Sequence, residues 1–249
     1  MEIFDLHNDG YDKDLKDKDK ILISIWTTEL LNPMQTIKQY RDKIKYLHIE
    51  DAHFLTPENI EEFIRLKPIT VGLTWNYDNC LVQNGHFTKW GKEVVKKLEI
   101  NDIQIDTAHL PRTAFYEFIK LTKNPLLCTH TAFYGIRRHK RNLTDKQIKI
   151  IIKSKGLIGL CLVPQFLTSK VDSCDEKDIL KHYLYYKQFD PDLECFAFGT
   201  DFNGTKQLPS GIEDYDALSR FIRKYKIKTQ DFNHRRNARK GMDNNSPHL

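Results

Sequence analysis

Short apolar runs alternate along this chain with longer segments in which apolar residues recur every three or four positions. Eight runs rich in Ile, Leu and Val lie at residues 3–6, 21–26, 46–49, 69–74, 103–106, 126–129, 157–163 and 195–199. Continuous apolar runs of this length are typical of strands buried on both faces of a parallel sheet. The periodic segments between them predict helices near 33–43, 89–98, 113–122, 176–188 and 213–226.

Two further helices are predicted from the residues that would begin them. Residues 56–59 read TPEN, with Thr56 at the N-cap and Pro57 at the first helical position, a combination that favours a helix start. Residues 144–147 read TDKQ, which has the spacing of a capping box. We therefore expect helices to begin directly after Thr56 and Thr144.

Eight strands alternating with helices predict an α/β fold, a (β/α)8 TIM-type barrel in a single domain. The alternative is an open doubly wound sheet, which usually carries a glycine-rich phosphate loop after its first strand. Here a charged stretch, residues 12–20, follows the first strand, and this favours the barrel. We assign residues 1–231 to the barrel and predict a polar, basic and poorly ordered tail over 232–249.

Composition and charge exclude several classes of protein. The 249 residues are 40% hydrophobic and 29% charged, enough for a sizeable core. We expect no membrane span and no secretory signal, because neither pattern occurs in the sequence. The five cysteines form no CxxC pair, which favours reduced thiols and a cytoplasmic location. The net charge is +5, but residues 223–249 carry +6, so a nucleic-acid partner is not expected.

Residues that bind metals recur directly after several of the predicted strands. These residues are His7 and Asp9 after the first strand, Glu50 after the third, His109 after the fifth, His130 after the sixth and Asp201 after the eighth. The carboxyl ends of barrel strands converge on one mouth, where active sites lie. Nitrogen and oxygen donors without thiolates suit two divalent ions, with one carboxylate bridging them. A water molecule between two such ions loses a proton near neutral pH.

The sequence also resembles the membrane dipeptidase (renal dipeptidase) family of zinc peptidases, as a compact microbial-type member. The resemblance covers residues 2–225, and its motifs stand in the family's order. They lie at 5–9 (DLHND), 49–53 (IEDAH), 73–76 (LTWN), 90–95 (WGKEVV), 105–109 (IDTAH), 129–130 (TH), 141–145 (RNLTD) and 199–204 (GTDFNG). Several linked motifs in order are far more specific than one His-x-Asp pair.

The resemblance implies a cofactor of two zinc ions per chain. His7, Asp9 and Glu50 would hold one ion, and Glu50, His109 and His130 would hold the second, so that Glu50 bridges the two. The activity implied is hydrolysis of the peptide bond of dipeptides by a hydroxide that bridges the metals.

The resemblance also assigns residues to substrate and proton. Arg141 would bind the terminal carboxylate, and Asp201 would carry protons at the scissile bond. Trp75 stands where the family has a histidine thought to contact the substrate, and Asn76 follows it as a second substrate residue. The indole of Trp75 can donate a hydrogen bond but cannot accept a proton.

Two alternatives stay open at this point. The same barrel and metals fit a hydrolase of another amide, lactam or phosphoester, although Arg141 favours a substrate that bears a carboxylate. The second alternative is a barrel that has lost activity and only binds a peptide. Trp75 and the polar tail are the features that favour this alternative. Related barrels are often dimers, so by analogy a homodimer is the assembly to test.

Overall fold

Eight parallel strands close into a barrel in the computed structural model, which describes residues 3–232. They are β1 (Asp5–Asn8), β2 (Ile21–Trp26), β3 (Leu47–Glu50), β4 (Thr70–Gly72), β7 (Gln104–Asp106), β8 (Leu127–Thr131), β9 (Leu157–Leu160) and β10 (Phe196–Phe198). Each coincides with one predicted apolar run, and β1 closes the barrel by pairing with β10 in parallel. The predicted fold class is therefore confirmed.

Helices follow the strands, as the predicted alternation requires. They are α1 (Pro33–Arg41), α2 (Ile60–Arg65), α3 (Lys89–Ile100), α4 (Arg112–Leu121), α5 (Asp145–Lys153), α6 (Pro164–Leu167), α7 (Glu176–Tyr186) and α8 (Tyr215–Tyr225). Short 3-10 turns lie at Lys18–Lys20 and Val171–Ser173. None of the helices among the described residues is both long and apolar enough to span a bilayer.

Of the two helix starts predicted from capping signals, one is confirmed and one is wrong. Thr144 caps α5 in a complete capping box with Gln147. Thr56 does not cap α2, which begins at Ile60 with Asn59 as the N-cap residue. The side chain of Asn59 accepts from the Thr56 N–H at 2.9 Å and donates to the Phe54 carbonyl at 2.8 Å. These hydrogen bonds hold residues 54–59 as a turn, so the helix begins only at Ile60.

A small antiparallel hairpin between β4 and α3 was not predicted. Its strands are β5 (Val82–Gln83) and β6 (His86–Phe87). The turn between them consists of Asn84 and Gly85, with φ of 51° and 78°. Asn-Gly is the preferred sequence for a two-residue turn with positive φ at both positions, so the signal was present in the sequence.

The barrel interior changes from apolar to polar along its axis. One cluster of buried apolar side chains consists of Phe4, Leu6, Leu22, Leu127, Leu157, Ala197 and Phe232. The rings of Phe4 and Phe232 lie 5.6 Å apart, so the described chain packs one residue beyond the predicted domain boundary at 231. The rest of the predicted tail, 233–249, lies outside the described residues. Beyond this cluster the interior side chains are polar, and they form the floor of the site.

Candidate metal centre

The structure brings the five predicted metal ligands together at the carboxyl ends of the barrel strands. Glu50, at the end of β3, lies between three imidazoles. Its Oε1 atom is 2.9 Å from His109 Nε2 and 3.6 Å from His130 Nε2, and its Oε2 atom is 3.7 Å from His7 Nε2. One oxygen therefore faces one pair of histidines and the other oxygen faces His7, which is the arrangement a bridging carboxylate requires.

Two carboxylates complete the His7 side of the site. His7 Nε2 lies 3.4 Å from Asp9 Oδ2 and 3.9 Å from Asp201 Oδ1. Donor atoms of these three residues lie within 4.8 Å of one another, as do those of His7, Glu50 and His130. Asp201, predicted as a proton carrier, is thus close enough to be a ligand as well.

The arrangement of these donor atoms suits a bound cation better than it suits hydrogen bonds among the donors themselves. His109 Nε2 and His130 Nε2 lie 2.9 Å apart, and burial lowers the pKa of both rings, so two neutral imidazoles converge on one point. Both ring nitrogens of His7 and the Oδ1 atom of Asp9 are buried without a hydrogen-bond partner among residues 3–232. Unpaired buried polar atoms are rare and costly, and a divalent ion would satisfy His7 Nε2 and the Asp9 carboxylate.

Electrostatics at His7 also favours a positive ion. Burial alone lowers the pKa of His7, but the carboxylates of Asp9, Glu50 and Asp201 outweigh it and raise this pKa to about 10. Burial also raises the pKa of Glu50 well above its ordinary value. Carboxylates crowded without counter-charge bind protons, and a metal ion would replace those protons.

A buried carboxylate beneath the His7 side was not predicted to have a role. Asp5 accepts hydrogen bonds from Thr200 N at 2.8 Å and Thr200 Oγ1 at 2.7 Å. It also accepts from Tyr215 OH at 2.6 Å and from His7 N at 3.2 Å. Because Thr200 directly precedes Asp201, this one carboxylate fixes the backbone of two residues of the site.

The same hydrogen-bonding arrangement occurs on the opposite side of the barrel. Asp106 accepts from Thr129 N at 2.9 Å, from Thr129 Oγ1 at 2.5 Å and from Ala108 N at 3.0 Å. Thr129 directly precedes His130, and its hydroxyl lies 3.0 Å from His130 Nδ1. The two arrangements share a threonine directly before the site residue, but its aspartate partner lies on the neighbouring strand and no local pattern marks it.

His109 is held in an unusual backbone conformation. Its φ is 64°, a region that residues other than glycine seldom adopt. Thr74 Oγ1 donates to the His109 carbonyl at 3.1 Å, and Asn76 Oδ1 lies 3.3 Å from His109 Nδ1. A proton on Nδ1 would leave the Nε2 lone pair free for a metal. Asn76, predicted to contact substrate, therefore lies against a predicted ligand.

Trp75 lies at the junction of two cavities above the centre. Its ring centroid is 4.8 Å from that of Trp26 and 6.2 Å from that of His109. One cavity, of about 560 Å³, is lined by Asp9, Glu50, His130, Asp201 and their neighbours. The other, of about 580 Å³, is lined by basic residues that include Arg141. Trp75, Asn76 and His109 line both, so the two cavities adjoin at the site.

Arg141 lies at the wall of the second cavity. It is 9% exposed, and its Nη2 atom donates to the His130 carbonyl at 3.4 Å. Its guanidinium lies 5.5 Å from the ring centroid of Phe166, and its Nε atom is buried without a partner. A guanidinium held by its neighbours with a donor unused suits an anionic group that enters the cavity.

Gly204 allows the last loop to pass close to the two carboxylates. A Cβ atom on Gly204 would lie 2.0 Å from Asp9 Oδ2 and 2.4 Å from Asp201 Oδ1. No side chain fits there while those oxygens keep their positions. Near the site, His48 is fully buried, with its Nδ1 atom 2.7 Å from Thr70 Oγ1.

Comparison with known proteins gives a consistent result. The sequence profile of membrane dipeptidase (peptidase family M19) matches residues 27–230. This range contains Glu50, His109, His130, Arg141 and Asp201, whereas His7 and Asp9 precede it. Among curated proteins, the chain is 28% identical over 194 residues to a Klebsiella pneumoniae protein described as an uncharacterized protein in pqqA 5'region, covering 70% of each.

Solved structures share the fold. The dipeptidase AC, a metallo peptidase of family M19, superposes with a TM-score of 0.67 at 22% identity over 78% of this chain. A metallo peptidase from Rhodobacter sphaeroides, liganded with a phosphinate mimic of the dipeptide L-Ala-D-Ala, superposes with a TM-score of 0.67 at 21% identity over 82% of this chain. The chain spans only 62% and 63% of these two proteins. At these identities the likeness establishes the fold.

Proposed function

Because the chain belongs to the membrane dipeptidase family, we propose that it is a zinc-dependent dipeptidase that hydrolyses the single peptide bond of its substrates. The observation that carries this proposal is the position of Glu50, whose two oxygens face His109 and His130 on one side and His7 on the other. Such a carboxylate between two groups of imidazoles suits a two-metal hydrolase.

Five residues would hold the two ions. His7, Asp9 and Glu50 supply the donors of one site, and Glu50, His109 and His130 supply those of the other. When bound, two divalent ions supply Lewis acidity and lower the pKa of water towards neutrality. Nitrogen and oxygen donors without thiolate support zinc in a catalytic role and not in a structural one.

Asp201 is suited to carry the proton in this reaction. In the metal-free protein, burial and the nearby Asp9 raise the pKa of its carboxyl to about 7. A carboxyl group this close to the proposed reaction centre can accept a proton and return it within one catalytic cycle. The backbone holds it in place, because Asp201 N donates to the His7 carbonyl at 3.0 Å and its φ is 62°.

The two cavities give the substrate a direction. Arg141 would bind the terminal carboxylate of the dipeptide by two parallel hydrogen bonds. The free amino group would then lie towards the acidic cavity on the other side of the centre. Trp75, which lines both cavities, would pack against the backbone of the substrate between its two ends.

The test compares peptides that differ only at their termini. Metal content and the rate of hydrolysis are measured with alanyl dipeptides, with their C-terminal amides and with alanyl tripeptides. We expect about two ions per chain and cleavage of the free dipeptides alone. Metal-loaded protein that cleaves none of them would mean a binding protein, and equal cleavage of amides would mean a broader amidase. The dimer and the cytoplasmic location expected from the sequence stay predictions.

A further inference from the structure

The second cavity carries more positive charge than one substrate carboxylate requires. We call it the cationic chamber, and its charged lining consists of Arg112, Arg138, Lys140, Arg141 and Asp78. It adjoins the metal centre at Trp75, Asn76 and His109, which line both cavities. Four cations therefore face one carboxylate in a space directly beside the proposed reaction site.

Three of these cations, Arg112, Arg138 and Lys140, form no ion pair with any residue in the range 3–232. Arg112 lies 4.5 Å from the ring centroid of Tyr134, and the Asp78 carboxylate accepts from Asn84 N at 2.7 Å. Arg112 is also the first residue of α4, where the helix dipole disfavours a cation. Stability of the fold therefore does not account for these charges.

The loop that carries Arg138 and Lys140 is held in place by hydrogen bonds to its backbone carbonyls. Asn142, buried beneath it, donates from Nδ2 to the Arg137 carbonyl at 2.9 Å and to the Phe166 carbonyl at 2.8 Å. Thr131 Oγ1 donates to the Arg141 carbonyl at 3.0 Å. A loop held at its carbonyls needs no further ordering of its backbone on binding, which lowers the entropic cost of binding.

The other cavity has the opposite charge. Its charged lining consists of Asp9, Glu29, Glu50 and Asp201, and neither Lys nor Arg lines it. Because Asp9 and Glu50 would be occupied as ligands of the two ions, Glu29 and Asp201 remain to face an ammonium group on this acidic side, whereas the cationic chamber is basic. A dipeptide would lie with its ammonium group on the acidic side and its C-terminal residue in the cationic chamber.

We infer that the substrates of this protein are dipeptides whose C-terminal residue has an anionic side chain. The inference rests on the proposed function, in which Arg141 binds the terminal carboxylate. Arg112, Arg138 and Lys140 then surround the side chain of the same residue, and they would bind a second carboxylate there.

The expected effect is moderate because these cations are exposed to solvent. A single exposed charge pair contributes about two- to fivefold, and less at high salt. Two or three such contacts together give about a tenfold preference in kcat/KM for a charged side chain over a neutral one of the same shape. The preference should fall as the ionic strength rises.

The experiment uses pairs of dipeptides that match in shape and differ in charge. Alanyl-glutamate is compared with alanyl-glutamine, and alanyl-aspartate with alanyl-asparagine, each with the C-terminal residue in L and in D form. The ratio of kcat/KM within a pair is measured for the wild type and for the double variant Arg138→Gln/Lys140→Gln. Because the readout is a ratio, a general loss of activity in the variant cancels.

The control is a double variant with the same change of charge at the far end of the barrel. Lys120 and Lys153 are exposed and lie near the C-terminal ends of α4 and α5, so Lys120→Gln/Lys153→Gln should keep the wild-type ratio. We expect the ratio to be about ten in the wild type and in this control, and about two in Arg138→Gln/Lys140→Gln. A ratio near one in the wild type, with all peptides cleaved, would overturn the inference and leave the proposed function intact. Cleavage of none would overturn both.

Discussion

The close approach of Gly204 to two carboxylates provides the sharpest prediction about the metal centre. In Gly204→Ala the new Cβ atom would lie 2.0 Å from Asp9 Oδ2 and 2.4 Å from Asp201 Oδ1, whereas real Cβ contacts stay beyond 3.0 Å. The Asp9 oxygen must therefore move by at least about 1 Å, several times the roughly 0.2 Å within which metal–ligand distances hold. We expect the His7 site to bind its ion at least about 100-fold more weakly, because even the loss of a supporting partner costs 10- to 100-fold.

The fold should tolerate the same substitution. Both contacts are with the ends of side chains, which can rotate away, and the φ of Gly204 does not lie in the left-handed region. Replacing glycine by alanine at such a position reduces the entropy of the unfolded chain by a few tenths to about 1 kcal/mol in favour of folding. The metal-free variant should therefore unfold at the wild-type temperature or slightly above it.

The assay is a zinc titration of chelator-treated protein by calorimetry, with thermal unfolding of the same samples. Gly211→Ala is the control, since its φ is 85° and a Cβ atom there would have no neighbour within 4 Å. It should lose roughly 1 kcal/mol of stability and bind metal as the wild type does. Wild-type affinity at both sites in Gly204→Ala would refute the assignment of Asp9 as a ligand.

Three further predictions concern the proton carrier, the carboxylate site and the metal-free state. Asp201→Asn should keep both ions and the unfolding temperature but lose at least about 100-fold in turnover; loss of an ion on elemental analysis would instead make Asp201 a ligand. Arg141→Lys should weaken binding of free-acid dipeptides more than of their C-terminal amides, because a point charge replaces a planar two-donor group; equal increases in KM would contradict this. Metal-free protein should lose stability between pH 7 and pH 9, since the pKa of His7 is raised in the folded state from 6.5 to about 10. His7 then binds its proton more tightly in the folded state than in the unfolded state, and that stabilisation is lost as the pH rises towards the folded-state pKa. A flat profile of unfolding temperature against pH for the metal-free protein would contradict the third prediction.

The strands and the predicted ligands could be found from sequence because both depend on local patterns. A parallel barrel strand buries both faces, so it appears as a continuous apolar run such as residues 157–160 within the predicted 157–163. The predicted ligands lie at or directly after the carboxyl ends of the strands, so His7 and Glu50 could be assigned to one mouth without knowledge of any contact. Their distances and the order of the donors around Glu50 required the structure.

Features that depend on contacts between distant residues could not be found in this way. Asp5 and Thr200 are separated by 195 positions, and nothing in either local stretch indicates that one fixes the other. The helix start at Thr56 was predicted wrongly because the side chain of Asn59 is used to close a turn. The cationic chamber likewise combines Arg112 on α4 with a loop near residue 140, and the local sequence does not reveal that they share a cavity.

The central claim is that two ions held by five residues, with Glu50 between them, are needed for dipeptide hydrolysis. It is tested most directly by adding zinc to chelator-treated protein while hydrolysis of alanyl-glutamate is followed. We expect no activity without metal, activity that rises to a plateau at about two equivalents per chain, and no recovery at that loading in Glu50→Ala. Full activity in metal-free protein, or a plateau at one equivalent that Glu50→Ala also reaches, would contradict it.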